Sequence, residues 1–392
     1  MNIMDETRIF IDAHAFDPPF QSSQTFVREI TSRLAEKPGI LLFIGAYDLQ
    51  NVKKHFPNTT NIIFLKYRSP SPIIRLLYDV PMLIKKHKIE YAHFQYYTPL
   101  IKNCKLIVTI HDVIFKEYTA EFSFAYRNFK KRMYKWSAHR SDFITTVSEY
   151  SKKSIQKYLK VNREIHLLPN GVSARFFEPY DKQKAIDTIK NKYGPKKFIL
   201  LISRLEPRKN HLLLLRTFLD LELYKKGYSL VFIGHRSLEV REFDELAESL
   251  SEEKKKYIFV YDKMDTDLLD FYRAASAFVY PSKAEGFGLP PVEAAAVRIP
   301  VLCSNTSAMK EFSFFGKFHV DPEDKELFKK KLLEIIEDPY NAEELQEIAD
   351  IVKDRYSWSV AADKLFEIFS NEQGHCDDVG AGLASALAQE KT

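Results

Sequence analysis

Short, continuously apolar runs alternate with amphipathic stretches along almost the whole chain, and this alternation limits the possible folds more than any other feature. Phe198–Ser203 (FILLIS) and Leu230–Gly234 (LVFIG) have no polar alternation. A strand that is apolar at every position must be covered on both faces, as in parallel sheets flanked by helices. In the first half the runs Arg8–Ala15, Ile40–Tyr47, Asn61–Tyr67, Tyr91–Gln95, Lys105–His111, Asp142–Val147 and Glu164–Leu168 read as strands. In the second half Phe198–Ser203, Ser229–Gly234, Tyr257–Tyr261, Ala277–Pro281, Pro300–Ser304 and Phe318–Val320 do the same. Between them apolar residues return at helical spacing, as in Ile74, Leu77, Val80, Leu83 and Ile84, and again in Phe122, Tyr126, Phe129 and Met133. The expected class is α/β, with a Rossmann-like, doubly wound sheet in each half.

A chain of 392 residues exceeds one core at roughly 150 residues per domain. The turn cluster Pro169-Asn170-Gly171-Val172 divides one series of strands from the next. The expected organisation is a first domain over 1–172, a second over 173–356, a helix over 357–370 returning toward the first domain, and a flexible tail over 371–392. Helical patterns cover 324–337, 342–354 and 358–370. With 45% hydrophobic and 28% charged residues the chain is globular rather than disordered. No apolar run approaches the ~20 residues of a membrane span. Asp5 and Glu6 stand where a signal peptide would carry basic residues. Cys104, Cys303 and Cys376 form no C-x-x-C, which fits a reducing cytoplasm. Net charge is uneven: residues 1–170 hold 26 Lys+Arg against 15 Asp+Glu, or +11, leaving 32 against 38, or −6, for the remainder. Only the first half is thus expected to face something anionic, such as a membrane surface or a phosphate-bearing acceptor.

The stretch Tyr280-Pro281-Ser282-Lys283-Ala284-Glu285-Gly286-Phe287-Gly288-Leu289-Pro290-Pro291-Val292-Glu293 is the richest in chemistry. A strand ends, a glycine-bearing loop follows, and two prolines suit the first turn of a helix, where a missing N–H costs nothing. Backbone N–H groups of Phe287, Gly288 and Leu289 would then form a helix N-terminus, which binds phosphate. Glu285 and Glu293 flank it, and carboxylates accept hydrogen bonds from sugar hydroxyls. An ordinary strand–loop–helix corner with Glu293 near the dipole has the same pattern.

Two acids with seven residues between them in YPSKAEGFGLPPVEA resemble the signature of the retaining GT-B glycosyltransferases of family 4, of the bacterial polysaccharide and lipopolysaccharide type. Ser203-Arg204-Leu205-Glu206-Pro207-Arg208-Lys209-Asn210 resembles the family's basic loop, and Thr109-Ile110-His111-Asp112 its histidine motif. Thr146–Ser151, Leu168–Val172 and Tyr356-Ser357-Trp358 fit further segments, so the likeness runs in order from residue 8 to about 370. The resemblance implies a GT-B architecture, two Rossmann-like domains facing a central cleft, with acceptor binding in the first and nucleotide-sugar binding in the second. It implies that Arg204 and Lys209, with the helix end at Phe287, Gly288 and Leu289, hold the donor diphosphate, while Glu293 holds the ribose. It also implies that Glu285 and His111 act on the transferred sugar as catalytic residues, and that no metal or other cofactor is needed. Asp112 either orients His111 or caps the next turn.

Two departures from the family stand out. The loop Pro18–Thr25 has no glycine, and only Ser22, Ser23 and Thr25 offer hydroxyls at the following helix start. Arg298 stands where the family carries glycine after the helix bearing the second acid, a change expected to affect a helix C-cap. The triplet Asp265-Thr266-Asp267 resembles a metal-holding acid pair but precedes Leu268, Leu269, Phe271 and Tyr272 at helical spacing, so N-capping explains it. Tyr126–Trp136 interleaves aromatic and basic residues, as an interfacial helix does, and so does a helix with an aromatic core stripe.

The expected function is transfer of a hexose, with mannose from GDP-mannose favoured by the EPRKN loop, to a glycan or lipid-linked glycan in cell-surface polysaccharide synthesis. A two-domain sugar-nucleotide epimerase and a non-catalytic nucleotide-sugar-binding subunit are the alternatives. The expected location is cytoplasmic, with peripheral attachment to an anionic membrane as a possible addition, and no nucleic-acid partner is expected.

Overall fold

The computed structural model describes residues 6–17, 23–56, 60–262 and 266–370. Its first sheet contains β1 (Thr7–Asp12), β2 (Ile40–Ala46), β3 (Ile62–Lys66), β4 (Tyr91–Gln95), β5 (Lys105–Thr109), β6 (Phe143–Thr146) and β7 (His166–Leu167), in the order β3-β2-β1-β4-β5-β6-β7. The second contains β8 (Phe198–Ile202), β9 (Ser229–Ile233), β10 (Ile258–Tyr261), β11 (Ala277–Tyr280), β12 (Val301–Ser304) and β13 (His319–Val320), in the order β10-β9-β8-β11-β12-β13. All these pairings are parallel, and each sheet reverses its strand order once, between β1 and β4 and between β8 and β11. Every apolar run read from the sequence is a strand, and the middle strands are buried at nearly every position because helices cover both faces.

The chain packs as two compact units. One comprises residues through His111, Ala125–Asn170 and residues from Trp358; the other comprises Asp112–Phe124 and Gly171–Ser357. Residues 112–124, assigned to the first domain by sequence, therefore pack with the second unit. The helix over 358–370 belongs to the first unit, where Trp358 sets its ring edge-on to Phe26 and Phe369 does so to Tyr91. Residues 371–392 lie outside the described residues.

Three local departures from expectation have visible causes. The strand expected to reach Ala15 stops at Asp12, whose buried carboxylate accepts from Tyr67 Oη at 2.8 Å, Arg75 Nη1 at 3.2 Å and His14 Nδ1 at 3.1 Å, and the chain turns over it. Burial alone would raise the Asp12 pKa; Arg75, His14 and Tyr67 outweigh it and hold it well below the usual carboxylate range. The expected stripe through Ile74 and Leu77 is interrupted by a π-turn at Arg75–Asp79, ahead of Pro81, which has no N–H to continue the α-helical ladder. That turn buries Arg75 and Asp79 and leaves Ile74 exposed. The stripe through Tyr126 and Phe129 is also not core: they are 43% and 60% exposed, and helix Phe124–Arg140 buries Tyr134, Ser137 and Ala138 instead. No helix among the described residues is long and apolar enough to cross a membrane.

Candidate functional site

Open parallel sheets bind ligands outside the carboxyl ends of strands at the point where strand order reverses. In the second unit that point lies between β8 and β11, which pair through Ile199 with Ala277 and Leu200 with Phe278. The loop after β8 carries Arg204, Glu206, Arg208 and Lys209, and the loop after β11 carries Ser282 and Glu285. The fold alone brings two loops distant in sequence side by side.

At their meeting Lys209 Nζ donates to Glu285 Oε1 at 2.5 Å and to Tyr280 Oη at 3.3 Å. Tyr280 Oη at 2.8 Å and Ser282 Oγ at 2.7 Å donate to the same carboxylate oxygen. Oε1 is thereby saturated, while Oε2 makes no hydrogen bond among the described residues and has Arg208 Nη1 at 3.8 Å. An ammonium has three protons, so Lys209 keeps one for a ligand. Burial alone would raise the Glu285 pKa; Lys209 and Arg208 more than offset it and hold the carboxyl below its usual range. The result is an ionised, water-poor pair with one open proton and one open acceptor. Arg204 differs: its side chain is 53% exposed and pairs with Glu206 Oε1 at 3.2 Å, so it stands at the rim.

Helix Leu289–Ala296 starts directly after this loop. Gly288 is its N-cap at φ 98°, a left-handed conformation that glycine adopts without penalty, and a Cβ there would lie 2.9 Å from Met309 Cγ. Pro290 and Pro291 have no N–H, so the amides of Phe287, Gly288 and Leu289 present the positive end of the helix. The Phe287 side chain turns away to pack edge-on against Phe312 and Tyr356. Glu293 lies on the helix with Oε2 accepting from Tyr272 Oη at 2.8 Å. Burial raises its pKa to about 7, although the Tyr272 hydrogen bond and Arg175 pull the other way. Arg298 adopts φ 58° just past the helix, and its guanidinium donates to the carbonyls of Phe177 and Glu178 at 3.3 Å, a C-terminal fastening distant in kind from phosphate binding.

In the first unit His111 follows β5, and its Nε2 meets Gln95 Oε1 at 2.7 Å. An amide oxygen only accepts, so Nε2 carries the ring proton and Nδ1 keeps a lone pair. Phe26 stands edge-on at 4.7 Å, and burial together with nearby His93 lowers the pKa to about 3. His111 is neutral at physiological pH. Asp112 does not orient it; its Oδ1 accepts from Ile114 N at 3.1 Å and caps the next turn.

Other expected residues resolve differently. Asp267 occupies the N-cap position but makes no capping bond; it accepts from Tyr193 Oη at 2.6 Å and Lys192 Nζ at 3.1 Å. Asp265 and the loop residues 18–22 lie outside the described residues. Sequence reading missed Arg208, whose buried guanidinium bonds Glu206 and donates to Ala284 O at 3.2 Å. It also missed Tyr280 and Ser282, which donate to Glu285 Oε1. Gly234 was missed too: at φ 151° its missing Cβ would fall 2.0 Å from Ser203 O, so only glycine lets the chain pass the start of the basic loop. The signal available was proximity in the motif for Arg208, and strand-end position for the others.

Comparison with known proteins bears on the family and the fold. Residues 23–176 match the family model "Glycosyltransferase Family 4" and residues 182–352 match "Glycosyl transferases group 1", so the two lie end to end over most of the chain. The chain belongs to the GT-B glycosyltransferases of family 4. It is 26% identical over 256 residues to the serotype-specific mannosyltransferase WbdA of Escherichia coli, a match covering 64% of this chain and 31% of that one. It is 26% identical over 333 residues to the O-antigen chain mannosyltransferase B of Escherichia coli, covering 79% and 85%. It thus spans about a third of WbdA and most of the second relative. Sucrose-phosphate synthase from Thermosynechococcus elongatus has the same fold at a TM-score of 0.75 and 16% identity, over 94% of this chain and 100% of that one. WaaG, a glycosyltransferase involved in lipopolysaccharide biosynthesis, does so at 0.65 and 17%, over 93% and 99%.

The raised pKa of Glu293 makes a signed prediction. Between the ordinary carboxylate value and about 7 the folded state holds a proton that the unfolded state has lost, so folding stability falls as pH rises through that window. Glu293→Gln should gain in melting temperature relative to wild type on going from about pH 5 to about pH 8. A difference that stays flat or moves in favour of wild type contradicts this assignment.

Proposed function

We propose that this chain transfers a hexose, with retention of anomeric configuration, from a nucleoside-diphosphate sugar to a glycan or lipid-linked glycan in cell-surface polysaccharide synthesis. The observation that carries this reading is the Lys209–Glu285 pair, which keeps one proton and one carboxylate oxygen for a ligand beside a helix start. Lys209, Arg204 and the amides at Phe287, Gly288 and Leu289 take the diphosphate; Glu285 Oε2 accepts from a sugar hydroxyl, and Glu293 takes the ribose. The anomeric bond to the phosphate oxygen breaks, a bond to the acceptor oxygen forms on the same face, and the acceptor proton passes to the departing phosphate. Arg204, Lys209 and the helix end neutralise the charge that develops, so the proposed site works without a metal ion. His111, being neutral, contributes to turnover through hydrogen bonding rather than charge. Mannose from GDP-mannose is the proposed donor, supported by the mannosyltransferase relatives at 26% identity.

We place the enzyme in the cytoplasm, attached peripherally to anionic membrane. Support comes from the +11 charge of residues 1–170 and from Tyr126 and Phe129 lying exposed beside Lys131, Arg132 and Lys135. Lys130 is different, since its ammonium sits 5.1–5.4 Å from the ring centres of Tyr97, Tyr126 and Tyr134.

Incubated with a panel of nucleotide sugars, with and without lipid-linked acceptors, the protein should release nucleoside diphosphate in the presence of EDTA. Lys209→Ala should weaken GDP binding in calorimetry by roughly 10- to 100-fold, the loss of a charged hydrogen bond. His111→Ala should lower kcat and leave GDP affinity intact. Equal loss of GDP affinity in both variants, or activity abolished by EDTA and restored by Mg²⁺, contradicts the assignment.

For the membrane, co-sedimentation with vesicles should rise with anionic lipid content and fall as salt shortens the Debye length from about 10 Å at 0.1 M to about 3 Å at 1 M. Changing Lys131, Arg132 and Lys135 to Ser, with Lys130 kept, should remove it. Wild-type protein that ignores anionic vesicles at low salt favours an acceptor in solution.

A further inference from the structure

Residues 112–124 leave the first unit after His111, run along the second, and return at Ala125. Two of their contacts reach the two loops that build the candidate site. In the turn Thr119–Glu121, Glu121 Oε1 accepts from the backbone N of Arg208 at 2.9 Å, and its Oε2 lies 3.4 Å from Arg208 Nε. Tyr118 Oη donates to Lys283 O at 3.0 Å. One contact is on the loop after β8 and the other on the loop after β11.

Arg208 joins those loops alongside the Lys209–Glu285 pair. Its carbonyl accepts from Lys283 N at 2.8 Å and from Ser282 Oγ at 3.4 Å, while its guanidinium donates to Ala284 O and bonds Glu206. The loop segment it holds, Ser282–Ala284, leads directly into Glu285. Glu121, Glu206, Arg208, Lys209 and Glu285 have side chains at most 10% exposed. Five ionisable groups are costly to bury, and apolar residues of the same volume would often hold two loops together at least as well. The arrangement makes sense where direction matters: a forked guanidinium held by carboxylates on separate elements has little freedom to rotate.

We propose that Glu121 is a positioning residue, which locks Arg208 and through it sets the loop bearing Glu285 in the geometry needed for sugar transfer. This rests on the reading of Glu285 and Lys209 given above. Glu121 itself touches no ligand. Its task is to fix the position of a carboxylate that must be correct to within a fraction of an ångström, since misplacement by about 1 Å costs on the order of 100-fold in rate.

The test is Glu121→Gln, which keeps the acceptor for Arg208 N and removes the charge facing the guanidinium. With GDP-mannose as probe, kcat per folded site should fall roughly 10- to 100-fold while KM and calorimetric GDP affinity stay within about threefold. Amide hydrogen exchange at Lys283 and Glu285 should accelerate, whereas exchange in β9 should not. Should that variant fold poorly, Glu121→Asp, which keeps the charge and shortens the reach, gives the same readouts. Wild-type kcat with wild-type exchange overturns the proposal, and so does a loss of GDP affinity as large as the loss of kcat. Wild-type protein that transfers no sugar from any donor refutes the proposed function instead, and the exchange comparison still decides whether Glu121 holds the loop.

Discussion

The second unit depends on a buried ion pair between residues 76 positions apart in the chain, Lys209 and Glu285. Removing two charges from water costs several kcal/mol each, and that cost is offset only by close geometry and further hydrogen bonds. Both conditions hold here, since Tyr280 and Ser282 donate to the oxygen that Lys209 already holds. Loss of either partner would leave a buried charge unpaired, at about 3–5 kcal/mol. The pair therefore fixes the loops after β8 and β11 to each other, and everything else in the candidate site is arranged around them.

Helix Leu289–Ala296 illustrates that dependence. Its start is set by Gly288, whose backbone conformation and close approach to Met309 exclude a side chain, and by two prolines that offer no protons. The positive end of the helix is thus delivered next to an ion pair whose own charges cancel. In the proposed function an incoming diphosphate would meet donors from the helix end, the remaining Lys209 proton and the exposed Arg204, while Glu285 Oε2 would accept from a hydroxyl. Glu293, one turn further along, is held by Tyr272 in surroundings dry enough to bring its pKa to about 7.

Much of this was legible in the sequence, for reasons that can be stated. Strands such as Phe198–Ile202 are apolar throughout because they are covered on both faces, so they read clearly, and the glycine-proline punctuation of 286–291 marked a helix start. The hidden parts depend on contacts distant in sequence. Nothing in Thr119-Ala120-Glu121 shows that it meets Arg208, 87 residues later, and so the segment 112–124 was assigned to the other domain. Arg208 itself looked like one more basic loop residue, whereas Arg204, the more conspicuous arginine, proved to be at the rim. The aromatic stripe of Tyr126 and Phe129 left an interfacial and a core reading open, because helical spacing states which residues align and not which side faces the core; both residues are exposed. Arg75 is buried against Asp12 of β1 and Asp79 against Arg68, partners that helical spacing does not reveal.

In the proposed function Glu285 serves the sugar while Lys209 serves the diphosphate, although the two are bonded to each other. Calorimetry of GDP with Glu285→Gln, alongside a transfer assay, separates these roles most directly. Removing the negative charge from beside Lys209 should leave GDP affinity unchanged or tighter while transfer falls by at least about 100-fold. Parallel loss of GDP affinity and transfer would contradict the account, because Glu285 would then be only a support for the nucleotide site.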